Sequence, residues 1–191
     1  AIGRSTDGGA TWTDQLNELL LNPDYWQSDP TMTVDAQGNF YMGCLDYDGV
    51  GFSDRSLIVF YKSTDKGLTW TGPVPNFTGI DNTIFEDKEF VTVDRTGGSY
   101  DGNLYCVWAR FPADVVSEPN RIMFVRSTDG AASFEDTMVV GPPISTSACG
   151  TMSAGQFAAP VVASNGDVHL IWIGAEVDSG AVCVAYYAFT H

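Results

Sequence analysis

Apolar residues in this chain come in short runs, rich in β-branched and aromatic side chains and broken by Gly, Asn or Asp. "SLIVFYKS" (Ser56–Ser63) and "RIMFVRS" (Arg121–Ser127) are too short for helices and are bounded by turn residues, so they read as strands. Upstream of each lies a strand, a polar turn and a second strand: "TMTVDAQGNFYMGCL" (Thr31–Leu45) and "FVTVDRTGGSYDGNLYCVW" (Phe90–Trp108). "PVVASNGDVHLIWIG" (Pro160–Gly174) is a third copy, and all three carry hairpin signals. One segment departs from the pattern. "DQLNELLLNPDYW" (Asp14–Trp26) spaces Leu16, Leu19 and Leu20 as a helix would, but Pro23 cuts it short. It reads as a short helical turn or an irregular link.

A nine-residue signature follows the third strand of each unit: "RSTDGGATW" (Arg4–Trp12), "KSTDKGLTW" (Lys62–Trp70) and "RSTDGAASF" (Arg126–Phe134). Its aspartates, Asp7, Asp65 and Asp129, recur roughly every 60 residues, the mark of a repeat architecture. An extended piece comes next, such as "GPVPNF" (Gly72–Phe77) or "TMVVGPPI" (Thr137–Ile144). One unit is therefore a hairpin, a third strand, a corner and a fourth strand. A single sheet of that size cannot bury both faces, whereas sheets stacked around an axis can, so the pattern predicts an all-β fold, a β-propeller with four-stranded antiparallel blades. A β-sandwich, the competing all-β fold, gives no reason for the same corner to return in every unit. The blade pieces are 1–22, 23–82, 83–147 and 148–191, a partial propeller of about three and a half blades in one domain. The remaining blades are expected from a longer chain or from other copies.

The corner has a physical logic. Ser and Asp side chains hold nearby backbone amides, and Gly9 and Gly67 supply a backbone conformation that side chains resist. The third copy has Ala131 at that place, with Gly130 one residue earlier, which predicts a distorted turn. Trp12, Trp70 and Phe134 are expected as apolar plugs under the turn or between sheets.

Charge narrows the partners. With 24 acidic and 9 basic residues the net charge is −15, which argues against nucleic acid and anionic membranes. No apolar run approaches the length of a membrane-spanning helix. Cys44, Cys106, Cys149 and Cys183 are too widely spaced for a zinc ribbon or a redox pair, and read equally as buried thiols or as disulfides. Asn76 opens an Asn-Phe-Thr triplet, the N-glycosylation sequon.

The three signatures resemble the Asp-boxes, or BNR repeats, of sialidase-like β-propellers. Ser5, Asp7, Gly9 and Trp12 carry the resemblance in the first copy, Ser63, Asp65, Gly67 and Trp70 in the second, and Ser127, Asp129 and Phe134 in the third. The likeness covers almost the whole chain. It implies an extracellular or cell-surface propeller that binds or hydrolyses glycans, possessing no required cofactor. Asp-boxes are structural and also occur without glycosidase activity, so the alternative is a non-catalytic binding, adhesion or assembly module.

A sialidase-like site needs an acid/base carboxylate, a Tyr–Glu nucleophile pair and arginines that clamp the substrate carboxylate. Ser28-Asp29-Pro30, Asp87-Lys88-Glu89 and Gln156-Phe157-Ala158 enter the innermost strands, near the mouth of the central channel. Asp87 or Glu89 is the candidate acid and Arg110 the candidate clamp. The alternatives are a strand-capping turn whose charge Lys88 offsets, and a surface arginine. The Arg-Ile-Pro signature of the family is absent, and no motif marks a Tyr–Glu pair. In the acidic loop "LDYDGVGFSD" (Leu45–Asp54), Asp46, Asp48 and Asp54 are candidate Ca²⁺ ligands; a solvated loop is the alternative.

Overall fold

The computed structural model describes residues 2–14, 25–48, 56–76, 83–112, 120–144, 156–175 and 183–190, and every regular element among them is a β-strand. β1 (Gly3–Arg4) pairs with β2 (Thr13–Asp14). β3 (Tyr25–Val34), β4 (Phe40–Asp48), β5 (Ser56–Ser63) and β6 (Thr71–Pro75) form an antiparallel meander. β7 (Ile84–Val93), β8 (Leu104–Pro112), β9 (Asn120–Ser127) and β10 (Met138–Ile144) repeat it. β11 (Gln156–Val162), β12 (Val168–Ala175) and β13 (Cys183–Thr190) form three strands of another. The first strands, β3, β7 and β11, lie against one another in series. The sheets are thus blades of a partial β-propeller, with those three strands at the hub. Residues 15–24, which contain the leucines at helical spacing, lie outside the described residues, as does Cys149.

Strand register makes the blades superimposable. Ser63 pairs with Phe40, Ser127 with Leu104 and Thr190 with Val168. Alternation along each middle strand then sends one set of side chains to each neighbouring blade. Leu104, Cys106 and Trp108 pack against Tyr41, Leu45, Ile58 and Phe60. On the other face, Tyr105, Val107 and Ala109 pack against Ala158, Val168, Leu170 and Trp172. Ile171 and Ile173 hold the places of Val107 and Ala109 one blade on, and both are exposed. Cys44 and Cys106 are buried free thiols inside these interfaces.

The corners share one hydrogen-bond scheme. Ser5, Ser63 and Ser127 each donate Oγ–H to the aspartate two residues on, at 2.7, 2.8 and 2.9 Å. The same Oγ accepts the amides of Gly9, Gly67 and Ala131 at 2.9, 2.8 and 2.9 Å. Asp7, Asp65 and Asp129 accept the amides of Thr11, Thr69 and Ser133 on one oxygen and their hydroxyls on the other. These bonds hold the carboxyls of Asp7 and Asp65 down at about 2, the Thr11 and Thr69 hydroxyls contributing most.

The third corner is not distorted. Ala131 takes φ 63°, beside 89° at Gly9 and 78° at Gly67, and the residue before each is also left-handed. The Ser127 bond holds the alanine in a conformation that only glycine adopts freely, and its methyl is buried in the core.

The corner aromatics differ in burial. Phe134 lies 4.6 Å from Phe60 of the preceding blade, centroid to centroid. Trp70 packs beside Ile2 on the cluster of Met42, Cys44, Leu57, Val59 and Tyr61. Trp12 is 67% exposed, so among the described residues it is not a plug; its Nε1–H donates to the Gly9 carbonyl oxygen instead. The sequon residue Asn76 is fully buried at the end of β6, so the folded chain does not present it for glycosylation.

Phe134 joins two blades, so Phe134→Ala should lower stability by about 2–3 kcal/mol, less than the roughly 3–5 kcal/mol of a fully buried ring because Phe134 is only partly enclosed. Urea denaturation monitors this, and a cost within experimental error would show that the corner aromatic does not bind the blades together.

Candidate functional site

Each hub strand breaks its register once, at matching places. The irregularities fall between Ser28 and Thr31 in β3, Asp87 and Phe90 in β7, and Gln156 and Ala159 in β11. Inside each bulge a non-glycine residue is left-handed: Asp29 at φ 51°, Lys88 at 57° and Phe157 at 60°. Such residues are uncommon and cost energy, and they concentrate at functional positions. Here the same strain is repeated in three successive blades. The corners gather at one end of the sheets, beside the Val34–Phe40 and Val93–Leu104 hairpins, and the bulges lie toward the other end.

The bulges bring three blades into contact. Lys88 Nζ bonds Asp29 Oδ2 at 2.8 Å, and Gln156 Nε2 donates to Asp87 Oδ2 at 3.2 Å. Asp87 Oδ1 accepts the Lys88 amide at 2.9 Å. Burial raises the pKa of Asp87, and the adjoining Asp29 carboxyl raises it further, against the pull of Lys88. Asp29, Asp87, Lys88 and Gln156 thus form a polar strip, with the exposed ring of Phe157 on the bulge of the next blade. Burial thus acts on one carboxyl of this strip, and the other is paired with the Lys88 ammonium.

Glu89 is placed differently. It is buried between blades, and neither carboxyl oxygen has a hydrogen-bond partner. Burial pushes its pKa up to about 8, with Asp29 and Asp87 adding to the rise. Its charge in turn helps raise the thiols of Cys44 and Cys106, for which burial is the main cause. Glu89 therefore sits behind the strip as a mostly protonated acid.

Arg110 is engaged by the buried Glu86. Its Nε donates to Glu86 Oε1 at 2.7 Å, and Trp108 Nε1 donates to Oε2. Burial raises Glu86 while Arg110 pulls against it. Ser56 Oγ bonds both the amide and the carbonyl of Glu86, tying this pair to the preceding blade. The guanidinium is thus held by an internal carboxylate, an arrangement that suits packing between blades better than clamping a substrate. Of the proposed calcium ligands, Asp46 is buried on β4, Asp48 closes that strand and Asp54 lies outside the described residues. Among the described residues no group of three or more His, Cys, Asp or Glu side chains is placed to hold a metal.

The sequence matches no protein-family model and no curated protein. Its fold matches solved structures. A protein of unknown function from Dyadobacter fermentans is 16% identical with a TM-score of 0.62, over 97% of this chain and 46% of that one. The Hadza microbial sialidase Hz136 is 17% identical with a TM-score of 0.61, over 96% and 39%. The Penicillium chrysogenum α-L-arabinanase, complexed with arabinobiose, is 16% identical with a TM-score of 0.58, over 98% and 53%. At these identities the likeness establishes the fold alone. The chain spans 39–53% of the length of these three proteins.

Glu89 generates a pH prediction. Its folded pKa is raised, so its contribution to stability is complete below the ordinary carboxylate range and is lost as pH rises through about 8. Urea midpoints of the native chain should fall across that window, and Glu89→Gln should flatten the fall. Parallel pH profiles for the two proteins would contradict the placement of Glu89.

Proposed function

We propose that the hub strip binds a glycan. The observation that carries this reading is the left-handed bulge repeated at Asp29, Lys88 and Phe157, which brings charged and amide groups of three blades together. Carboxylates, an ammonium and a carboxamide offer the mixture of acceptors and donors that sugar hydroxyls require. Phe157 adds an apolar surface for the carbon face of a sugar ring. The solved propellers of similar fold include a sialidase and an α-L-arabinanase, which favours a glycan over other polar ligands.

Asp87 is the group suited to proton donation, because burial and the neighbouring Asp29 favour its protonated form. Two carboxyls that flank a glycosidic bond stand roughly 5–9 Å apart. Hydrolysis requires a second carboxylate at that separation from Asp87. The reading is therefore binding first, with Asp87 as the acid of any hydrolysis. Arg110 and Glu89 take no direct part in it. The acidic chain and the fold suit an extracellular or cell-surface setting.

The test is a broad glycan array that includes sialosides and arabino-oligosaccharides, followed by titration of whichever glycan is retained. Asp87→Asn and Lys88→Ala should each weaken that glycan roughly tenfold or more, about 1.4 kcal/mol. Retention of no glycan, or equal affinity in the substituted proteins, would overturn the proposal.

A further inference from the structure

The hub strip is rich in acceptors, and its donors are already engaged. Asp29 and Asp87 contribute two carboxyl groups and Gln156 a carboxamide oxygen. The Lys88 ammonium donates to Asp29 Oδ2, the Lys88 amide to Asp87 Oδ1 and the Gln156 side-chain nitrogen to Asp87 Oδ2. The bond to Asp29 raises the pKa of Lys88 against burial, and the Asp87 and Glu89 carboxyls add to the rise. One ammonium thus stands among three acidic side chains.

The other described cations are held elsewhere. Arg110 places both Nε and Nη2 on Glu86 Oε1, at the contact with the preceding blade. Arg121 lies opposite Arg110 on β9, two strands out from the hub strand. Arg4, Lys62, Lys66, Arg95 and Arg126 stand in or beside the corners and the hairpins next to them, toward the other end of the sheets. Arg55 lies outside the described residues.

This arrangement separates two classes of sugar. A carboxylate on a ligand is acceptor-only and needs donors, best a guanidinium that meets it with two parallel bonds. In the strip it would face carboxyls, and it would reach the Lys88 ammonium only by displacing Asp29. A sugar hydroxyl donates as well as accepts, so it can bond the same carboxyls and the Gln156 oxygen without adding charge.

We propose that the hub strip selects sugars that carry no anionic group and disfavours sialic and uronic acids. The inference rests on the glycan-binding reading above and names the class of sugar for it. It departs from what the Asp-box resemblance implies, where arginines clamp a substrate carboxylate: the strip is acidic where such a clamp is basic.

The test uses pairs of sugars that differ by one carboxylate, lactose against sialyllactose and methyl glucoside against methyl glucuronide, titrated into the 191-residue chain alongside sialylated and unsialylated forms of any glycan the array retains. The neutral member should bind about tenfold more tightly or better, and added salt should narrow the gap by screening the carboxyls. Asp29→Asn releases the Lys88 ammonium, so it should narrow the gap as well, whereas a merely structural role for Asp29 would weaken both members alike. The salt dependence carries the test if that variant fails to fold. Equal or tighter binding of the anionic members, or a gap that salt leaves unchanged, would overturn the charge selectivity and leave glycan binding standing. Binding of no glycan of either class would remove the glycan-binding reading and this inference with it.

Discussion

The structure depends on a carboxylate that takes the place of missing backbone partners. Where the chain leaves a third strand it must reverse within a few residues, and its amides then lack a strand to bond. Asp7, Asp65 and Asp129 accept those amides and a hydroxyl, while a serine closes the ring from the other side. The Gly67 and Ala131 amides that the serines accept are buried, and leaving them without an acceptor would cost energy comparable to lost hydrogen bonds. The fixed corner delivers an aromatic residue toward the preceding blade, as Phe134 reaches Phe60. Corner geometry thus becomes blade spacing, and blade spacing sets the hub.

At the hub the constraint is different. Adjacent inner strands approach closely, and each bends at one bulge. The bulge resets side-chain alternation. Glu86 and Glu89 lie on either side of the Asp87–Lys88 bulge, and both are buried. Glu86 is paired with the Arg110 guanidinium and accepts a hydrogen bond from Trp108, whereas Glu89 relies on its proton. The Asp29–Lys88 ion pair lies in the strip instead, where both side chains are partly open to solvent.

Much of this was legible in the sequence, for physical reasons. Short β-branched runs, turn residues and the repeated Ser-x-Asp signature encode local structure, so the strand order and the corners followed from spacing. The donor role of Thr11, Thr69 and Ser133 was also open to view, since a hydroxyl stands four residues after each aspartate. Ala131 misled because an alanine carries no sign of a left-handed backbone; the Ser127 bond imposes it. The hub segments were located, but their roles were not. Asp29, Lys88 and Phe157 share no side-chain type, and their conformation is set by pairing across the sheet. Arg110 looked free because its partner, Glu86, is brought to it only by strand register.

The most direct measurement is the titration of the corner carboxyls by NMR, with acid unfolding followed in parallel. Asp7 and Asp65 should titrate at about 2, and the stability they confer should be present above the ordinary carboxylate range and drain away as pH falls toward 2. Midpoints near the ordinary aspartate value, with no loss of stability in that window, would mean that the aspartates do not pin the corners and that the blades are held by something else.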